Sequence, residues 1–292
     1  MILLKISRTT SITVVAVMIL FGCTDHKTNI PFEFPKYKPR LIVLSSIGTL
    51  SGGEAAVSWS KPLKGQKGDV PVLPQLSVFL LEDGERIIKF NNIQDSSGYF
   101  NIPPKDFSPR LGAVYAIEVL MEEKGERIFS QNCYLPEKPA LGEVAINLDP
   151  NMPSWYTLSW SQGAAKEGVG ATALYPFLLD EAGAMATKAG LAAYYLSSAF
   201  RYTDGNAIPE RKGDQRFDRT ISKEDGTIAL AKSVNIRLAF LSPELARFKK
   251  EIDELGYLGE SVFQTVRPLY SNLIGAEGVF GLYNESAVEA NF

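Results

Sequence analysis

Between residues 40 and 149, short apolar segments alternate with glycine-containing turn signals, and this spacing constrains the fold more than any other feature of the chain. Each segment has the length of an ordinary strand. The predicted strands are 41–46, 55–60, 76–81, 86–90, 114–121 and 128–134. The turn signals between them are Gly52-Gly53, Asp83-Gly84, Ser97-Gly98 and Lys124-Gly125. The pattern predicts an immunoglobulin-like or transthyretin-like β-sandwich over 40–149, with Trp59 in its core.

A second β-rich domain is predicted for residues 150–292, beginning at the proline-bounded segment 150–153. The alternation that follows is typical of a half-buried strand. One side carries Tyr156, Leu158 and Trp160, and the other carries Trp155, Thr157 and Ser159. We expect Trp155 to be the more exposed aromatic residue. Residues 194–202 predict a further strand, whereas 183–193 fit either a helix or a strand, so the domain is a sandwich or a partly open barrel.

One helix is predicted near 243–255. Ser242 can cap its first turn, Pro243 fits the first helical position, and Glu244 suits the positive end of the helix dipole. Apolar residues then recur at helical spacing before Gly256: Leu245, Phe248, Ile252 and Leu255. A stripe of this width predicts that the helix packs on the sheet of the second domain.

Charged residues crowd the segment 203–226, which has few apolar side chains. The eleven charges are Asp204, Glu210, Arg211, Lys212, Asp214, Arg216, Asp218, Arg219, Lys223, Glu224 and Asp225. The composition predicts a long surface loop, which is either a docking loop for a partner or a solvated loop. The residues that we single out for contact with a partner or ligand are Trp155, Arg211, Arg216, Phe217 and Asp218.

The first 23 residues have the features of a bacterial lipoprotein signal. Its parts are a basic region with Lys5 and Arg8, an apolar run at 12–21, and the ending Leu20-Phe21-Gly22-Cys23. We expect residues 1–22 to be removed as the signal peptide and Cys23 to be lipidated, so that its acyl chains hold the protein on a membrane. Residues 23–39 are then a proline-rich tether to the first domain.

The composition of the chain excludes several classes of chemistry. The only histidine, His26, lies in the tether, so neither domain has an imidazole for serine–histidine, cysteine–histidine or zinc chemistry. Once Cys23 is lipidated, Cys133 is the only thiol, and we expect it to be buried. Signal cleavage removes Lys5 and Arg8 and changes the formal charge from −3 to −5, which does not favour nucleic acid. We expect no catalytic residue, no metal and no cofactor.

The order of these features resembles one known family. The sandwich opens Pro39-Arg40-Leu41-Ile42-Val43, later segments are Ser97-Gly98-Tyr99-Phe100 and Gly112-Ala113-Val114-Tyr115, and residues 268–281 read PLYSNLIGAEGVFG. That closing segment fits a Ser-Asn-Ile, Gly-x-Gly-x-Phe-Gly pattern at Ser271, Asn272, Gly275, Gly278, Phe280 and Gly281. Over nearly the whole mature chain, the sequence resembles the Bacteroidota-type lipoproteins known as domain of unknown function 4249.

The resemblance implies an outer-membrane lipoprotein that faces the cell surface and has no established enzymatic activity. It also implies a protein partner, a TonB-dependent receptor, because such lipoproteins are often encoded beside one. For the closing segment itself, the glycines and Asn272 predict a tight turn that seals the last strand, which is a structural role.

Three functions stay open at this point. The first is a non-catalytic accessory or binding subunit of a TonB-dependent transporter system, and the second is a structural or assembly component of an envelope complex. The third is a carboxylate-dependent hydrolase, which needs two acidic groups about 5 to 9.5 Å apart. The carboxylates considered for that role are Asp180, Glu181, Asp214 and Asp218.

Overall fold

The computed structural model describes residues 36–62, 67–93, 98–164, 168–179, 200–202, 210–222, 226–257 and 269–292. Several predictions lie outside these residues: the signal 1–22, lipidation of Cys23, the segment 183–193, and the carboxylates Asp180 and Glu181. In the described part of the chain, no helix has both the length and the apolar character needed to cross a bilayer.

The described chain is mainly β. Its first half contains β1 (Leu41–Gly48), β2 (Gly52–Trp59), β3 (Leu76–Glu82), β4 (Glu85–Lys89), β5 (Asn91–Asn92), β6 (Tyr99–Ile102), β7 (Val114–Met121), β8 (Glu126–Ser130), β9 (Cys133–Tyr134) and β10 (Leu141–Leu148). Its second half contains β11 (Trp155–Gln162), β12 (Ala171–Leu179), β13 (Phe200–Tyr202), β14 (Arg211–Asp218), β15 (Thr220–Ser222), β16 (Ile228–Leu230), β17 (Ser233–Leu241), α1 (Pro243–Tyr257), β18 (Leu273–Ile274) and β19 (Glu277–Asn291). The predicted mainly β fold is confirmed, and so is the helix near 243–255.

Two sheets enclose the first hydrophobic core. The described strands of the larger sheet run in the order β13-β12-β17-β19-β1-β2-β6-β5, and those of the smaller one run β18-β8-β7-β3-β4. Every second residue of the facing strands points inward. Buried members of this core include Val43, Val57, Val78, Leu80, Tyr115, Ile117, Val119 and Phe280. Trp59 packs against the same cluster, as the alternation of β2 predicts.

The last strand joins strands from both halves of the chain. β19 lies between β1 and β17 and is parallel to β1, with Glu277 opposite Ile42, but antiparallel to β17. Asp149 and Pro150, where the sequence suggests a domain division, lie in the turn between β10 and β11, which are hydrogen-bonded neighbours. The strands on either side of that position therefore belong to one hairpin.

The helix α1 covers the opposite face of the large sheet. Leu245, Ala246 and Phe248 pack against Val279 of β19 and against β12 and β17. A Cβ at Gly281 would lie only 2.6 Å from Leu245 Cβ, so the glycine lets the helix approach the strand closely. The packing of the helix on the sheet is as predicted from its apolar stripe.

The sheet with strand order β10-β11-β14 packs on the remaining part of the large sheet. Tyr156, Leu158 and Trp160 point into this third core, where they meet Val234 and Ile236 of β17. The residues between them along β11 are partly exposed, which confirms the predicted alternation. The outer face of the β10-β11-β14 sheet consequently faces solvent.

The predicted surface loop over 203–226 is wrong at Arg211–Asp218, which form β14. From Lys212 onward, its charged residues occupy every second position and leave Gly213, Gln215 and Phe217 for the inner face. The high charge favoured a loop, but a strand with one solvated face tolerates charges at that spacing. Beyond β14, the strands β15 and β16 form a short ribbon.

Candidate functional site

Pairing between β11 and β14 brings three of the predicted contact residues onto one surface. Trp155 lies opposite Asp218, and Thr157 lies opposite Arg216. Residues directly opposite each other in an antiparallel pair share a face of the sheet. Trp155, Arg216 and Asp218 therefore meet on the outer face of the β10-β11-β14 sheet, near the end where Trp155 begins β11 and Asp218 ends β14.

The guanidinium group of Arg216 is held by three neighbours. Its Cζ lies 4.9 Å from the centroid of the Trp155 ring, within the range of a cation–π contact. Its Nη2 donates a hydrogen bond of 2.6 Å to Asp149 Oδ2 and lies 3.4 Å from Met152 Sδ. We call the group Asp149, Met152, Trp155, Arg216 and Asp218 the Trp155 corner.

The turn between β10 and β11 fixes Asp149 in this position. Asp149 Oδ1 accepts hydrogen bonds from the backbone N–H groups of Asn151, at 2.9 Å, and Met152, at 3.2 Å. Trp155 N donates to Met152 O at 2.8 Å, and Asp149 N donates to Trp155 O at 3.0 Å. One aspartate thus shapes the turn with one oxygen and binds Arg216 with the other.

Sequence reasoning missed Asp149 and Met152 as members of the site. The signal that was available is the Asp-Pro-Asn order at 149–151, which is typical of a turn between strands. The sequence predicts the start of the second domain at this segment, and the pairing of β10 with β11 makes the segment a hairpin turn.

Exposed apolar side chains lie in the corner and on the β15–β16 ribbon that follows β14. Met152 is 51% exposed, and on the neighbouring ribbon Ile228 is 72% exposed and Leu230 is 43% exposed. The base of the ribbon is tied to the turn, because Arg219 N donates to Ser154 O at 2.8 Å. The combination of tryptophan, arginine and exposed apolar groups is typical of the centre of a protein interface.

Phe217 and Arg211 lie away from the corner. Phe217 is on the inner face of β14, with its ring centroid 5.7 Å from that of Tyr156. Arg211 lies opposite Gln162 at the other end of the strand, seven residues from Asp218 and so about 23 Å away. These two of the five predicted contact residues are separated from the other three because an extended strand sends neighbours to opposite faces and spreads its ends apart.

The described carboxylates of β14 do not form a hydrolytic pair. Asp214 and Asp218 share the outer face but are four residues apart, which corresponds to about 13 Å along a strand. This backbone spacing is wider than the distance of at most ~9.5 Å that separates the two carboxyl groups in glycoside hydrolases. Among the described residues, no group of three or more His, Cys, Asp or Glu side chains is placed to hold a metal ion.

Most of the closing motif is buried, and the motif lies on other strands than the corner. Asn272, Gly278, Phe280 and Gly281 are buried, while Ser271 and Gly275 lie in the segment around β18. Ser271 Oγ accepts a hydrogen bond of 3.3 Å from Leu273 N, and Gly275 has a φ of 92°. The motif residues thus form turns, pack in the core, and let neighbouring elements approach β19 closely at its glycines.

No protein-family model matches the chain, and a search of curated proteins also finds no match. Among solved structures, the chain is similar to the apo structure of Bacteroides uniformis beta-glucuronidase 3, with 12% sequence identity and a TM-score of 0.18. The match covers 68% of this chain but spans only 23% of that chain. A likeness this weak carries no argument about fold or activity.

Proposed function

We propose that the protein is a lipid-anchored, non-catalytic binding subunit at the cell surface, which docks on a TonB-dependent outer-membrane transporter through the Trp155 corner. Membership of the family called domain of unknown function 4249 is part of this proposal. The observation that carries it is the contact of Arg216 with Trp155 and Asp149 on an exposed sheet face.

The contacts of Arg216 support docking because they add little to folding. An exposed ion pair contributes about 0 to 1 kcal/mol, and an exposed cation–π contact contributes about 0.5 to 1 kcal/mol. What they do achieve is to hold two large side chains in one geometry before a partner arrives. A side chain that is already ordered loses less entropy on binding, and tryptophan and arginine are the residues enriched at binding hot spots.

The expected anchor is compatible with docking beside a membrane protein. Twelve residues lie between Cys23 and Lys36, the first described residue, which makes thirteen Cα–Cα steps. A fully extended chain of that length reaches about 45 Å, so a lipidated Cys23 would keep the sandwich close to the membrane surface.

The proposal is tested by affinity purification of the tagged, lipidated protein from detergent-solubilised envelopes after mild crosslinking, followed by mass spectrometry. The test variants are Trp155→Ala and Arg216→Ala. Their matched controls are Tyr134→Ala, which truncates an exposed aromatic on β9, and Lys212→Ala, which truncates a cation on the same face of β14. We expect a stoichiometric TonB-dependent β-barrel to accompany the wild type and both controls, and its recovery to fall about tenfold for the two test variants.

Two results would overturn the proposal. One is recovery of the protein without any outer-membrane partner. The other is recovery of the β-barrel at equal levels with the test variants and the controls, which would place the contact elsewhere on the surface. Recovery of several envelope proteins without a transporter would favour the assembly role instead.

A further inference from the structure

A cleft of about 700 Å³ opens at the edge of the first sandwich, on residues that the Trp155 corner does not use. Its walls are the segments 72–76 and 89–92, and Gly98 and Phe100 lie between them. Glu122, which follows β7, lines one side. The cleft therefore lies where the edges of the two packed sheets come together.

The cleft exists because β4 covers only part of β3. The two strands pair from Glu82 to Phe79, where Lys89 is the last residue of β4 opposite β3. Phe90 N then donates to Val78 O at 2.9 Å, and the chain crosses to the other sheet as β5. Within the described residues, no strand lies beside Leu76 on that side.

The backbone of Leu76 points into this gap. Successive residues of a strand direct their N–H and C=O groups to opposite sides, and Val78 O is directed towards β4. Gln75 O is directed the other way, since it accepts a hydrogen bond of 3.0 Å from Glu122 N beside β7. Leu76 lies two residues before Val78 on β3, so its N–H and C=O groups are directed to the same side as those of Val78. They form an open strand edge in the cleft.

The side chains around this edge favour a polypeptide over a sugar. Gln75 and Asn91 are exposed amides, which can both donate to and accept from a peptide backbone. Phe90 and Phe100 are buried, so neither offers an open ring face for stacking on a sugar. Lys89 Nζ lies 5.8 Å from the centroid of the Phe79 ring, on the outer face of the sheet.

The charged residues that line the cleft indicate which kind of polypeptide it would bind. Glu122 is the one acidic residue among the described residues that line the cleft, whereas the one lysine, Lys89, has its ammonium 5.8 Å from the centroid of the Phe79 ring. Glu122 also accepts a hydrogen bond from Ser77 Oγ, which orients it. A cationic side chain on the ligand would pair with it.

We infer that this cleft binds an extended segment of another polypeptide, which adds a strand beside Leu76 and places a lysine or arginine near Glu122. The backbone edge supplies affinity that is independent of sequence, and Glu122 supplies preference for a basic residue. This site and the Trp155 corner lie on different strands, so the failure of one proposal leaves the other intact.

The test uses the full lipidated protein in detergent micelles, probed with an array of immobilised synthetic peptides about ten residues long and with an array of oligosaccharides. Gln75→Trp fills the cleft, and Gln131→Trp is its control, because Gln131 is an exposed glutamine that follows β8 in the same sheet. We expect peptides to bind the wild type and the control equally, and to bind Gln75→Trp at least about tenfold more weakly. Thermal unfolding of both tryptophan variants checks that each is folded.

A second variant keeps the test informative if Gln75→Trp does not fold. Glu122→Gln should weaken peptides that contain lysine or arginine by about fivefold and leave uncharged peptides unchanged. In hydrogen exchange, a bound peptide should slow exchange of the Leu76 amide. The inference is overturned if only oligosaccharides bind, if peptides bind Gln75→Trp and wild type equally, or if the chain's own residues 24–35 bind more tightly than every other peptide.

Discussion

Asn272 forms two hydrogen bonds with the backbone of Phe280, one through each polar atom of its side chain. Nδ2 donates to the carbonyl oxygen over 2.8 Å, and Oδ1 accepts from the N–H group over 2.9 Å. Asn272 precedes β18 in the smaller sheet of the sandwich, whereas Phe280 lies in β19 of the larger one. A single buried amide thus connects the two sheets and satisfies two backbone groups that have no access to water.

Replacing this amide should be costly. Asn272→Leu keeps the volume but leaves the N–H group of Phe280 unpaired and its C=O group with only the weak Cys133 thiol donor at 3.4 Å, so we expect a loss of about 2 to 4 kcal/mol in the free energy of unfolding. Urea denaturation measures it. Ser271→Ala removes a single hydrogen bond of 3.3 Å and should cost less than about 1 kcal/mol. Equal losses for the two variants would show that the two bonds to Phe280 contribute nothing.

Two glycines of the closing motif should differ in their tolerance of a methyl group. Gly278 has a φ of 125°, and a Cβ there would collide with the carbonyl of Val43 on the parallel neighbour β1. At Gly275 a Cβ would come no nearer than 3.5 Å to Ile128 Cγ1. We expect Gly275→Ala to cost about 1 kcal/mol from its left-handed backbone, and Gly278→Ala to cost at least about 3 kcal/mol or to prevent folding. Thermal unfolding and soluble yield distinguish them.

The thiol of Cys133 should be unreactive in the folded protein. Burial raises its pKa well above the ordinary value, and the nearby carboxylate of Glu244 acts in the same direction. Because the thiolate is the reactive form, we expect no labelling by iodoacetamide at pH 8 without denaturant. In urea, one labelled thiol per chain is expected if Cys23 carries lipid, whereas two would contradict the proposed anchor. Intact-mass spectrometry counts them.

Stability should fall at low pH partly through Glu118. Hydrogen bonds of 2.6 Å from Arg86 to both carboxylate oxygens lower the pKa of Glu118 below its ordinary value of 4.5, although burial opposes them. As the pH falls, the carboxylate of Glu118 is therefore protonated in the unfolded chain before it is protonated in the folded protein. The stabilisation is complete above about pH 4.5 and is lost as the pH falls through the lower pKa of the folded state. Glu118→Gln should flatten the dependence of the unfolding free energy on pH between 5 and 3. Glu126→Gln, at an exposed position on β8, is the control and should keep the wild-type dependence.

Arg216 should matter for binding but not for folding. Its side chain is 47% exposed where it pairs with Asp149, so Arg216→Ala should change the free energy of unfolding by less than about 1 kcal/mol. Denaturation in urea, run beside the affinity purification, separates the two effects. A loss above about 3 kcal/mol would make the Trp155 corner a folding element and would remove its main support as a docking surface.

Much of the fold was predictable because its signals are local. Period-two alternation placed Tyr156, Leu158 and Trp160 on the buried side of β11, and capping residues with a regular apolar stripe located α1. The candidate site was predicted less completely. Trp155, Arg216 and Asp218 were chosen from exposure and charge, but their association with Asp149 depends on the hairpin between β10 and β11.

The sequence by itself determined the mainly β character, the position of the helix, the absence of histidine from the described chain, and the alternation that gives β11 one buried face. Only the tertiary structure decided which strands are neighbours. β19 pairs with β1 across more than 230 residues of sequence, and β14 became a strand because β11 was available to pair with it. Such pairing is governed by hydrogen bonds and side-chain packing between distant segments, and no local pattern of residues encodes which distant segment will supply them.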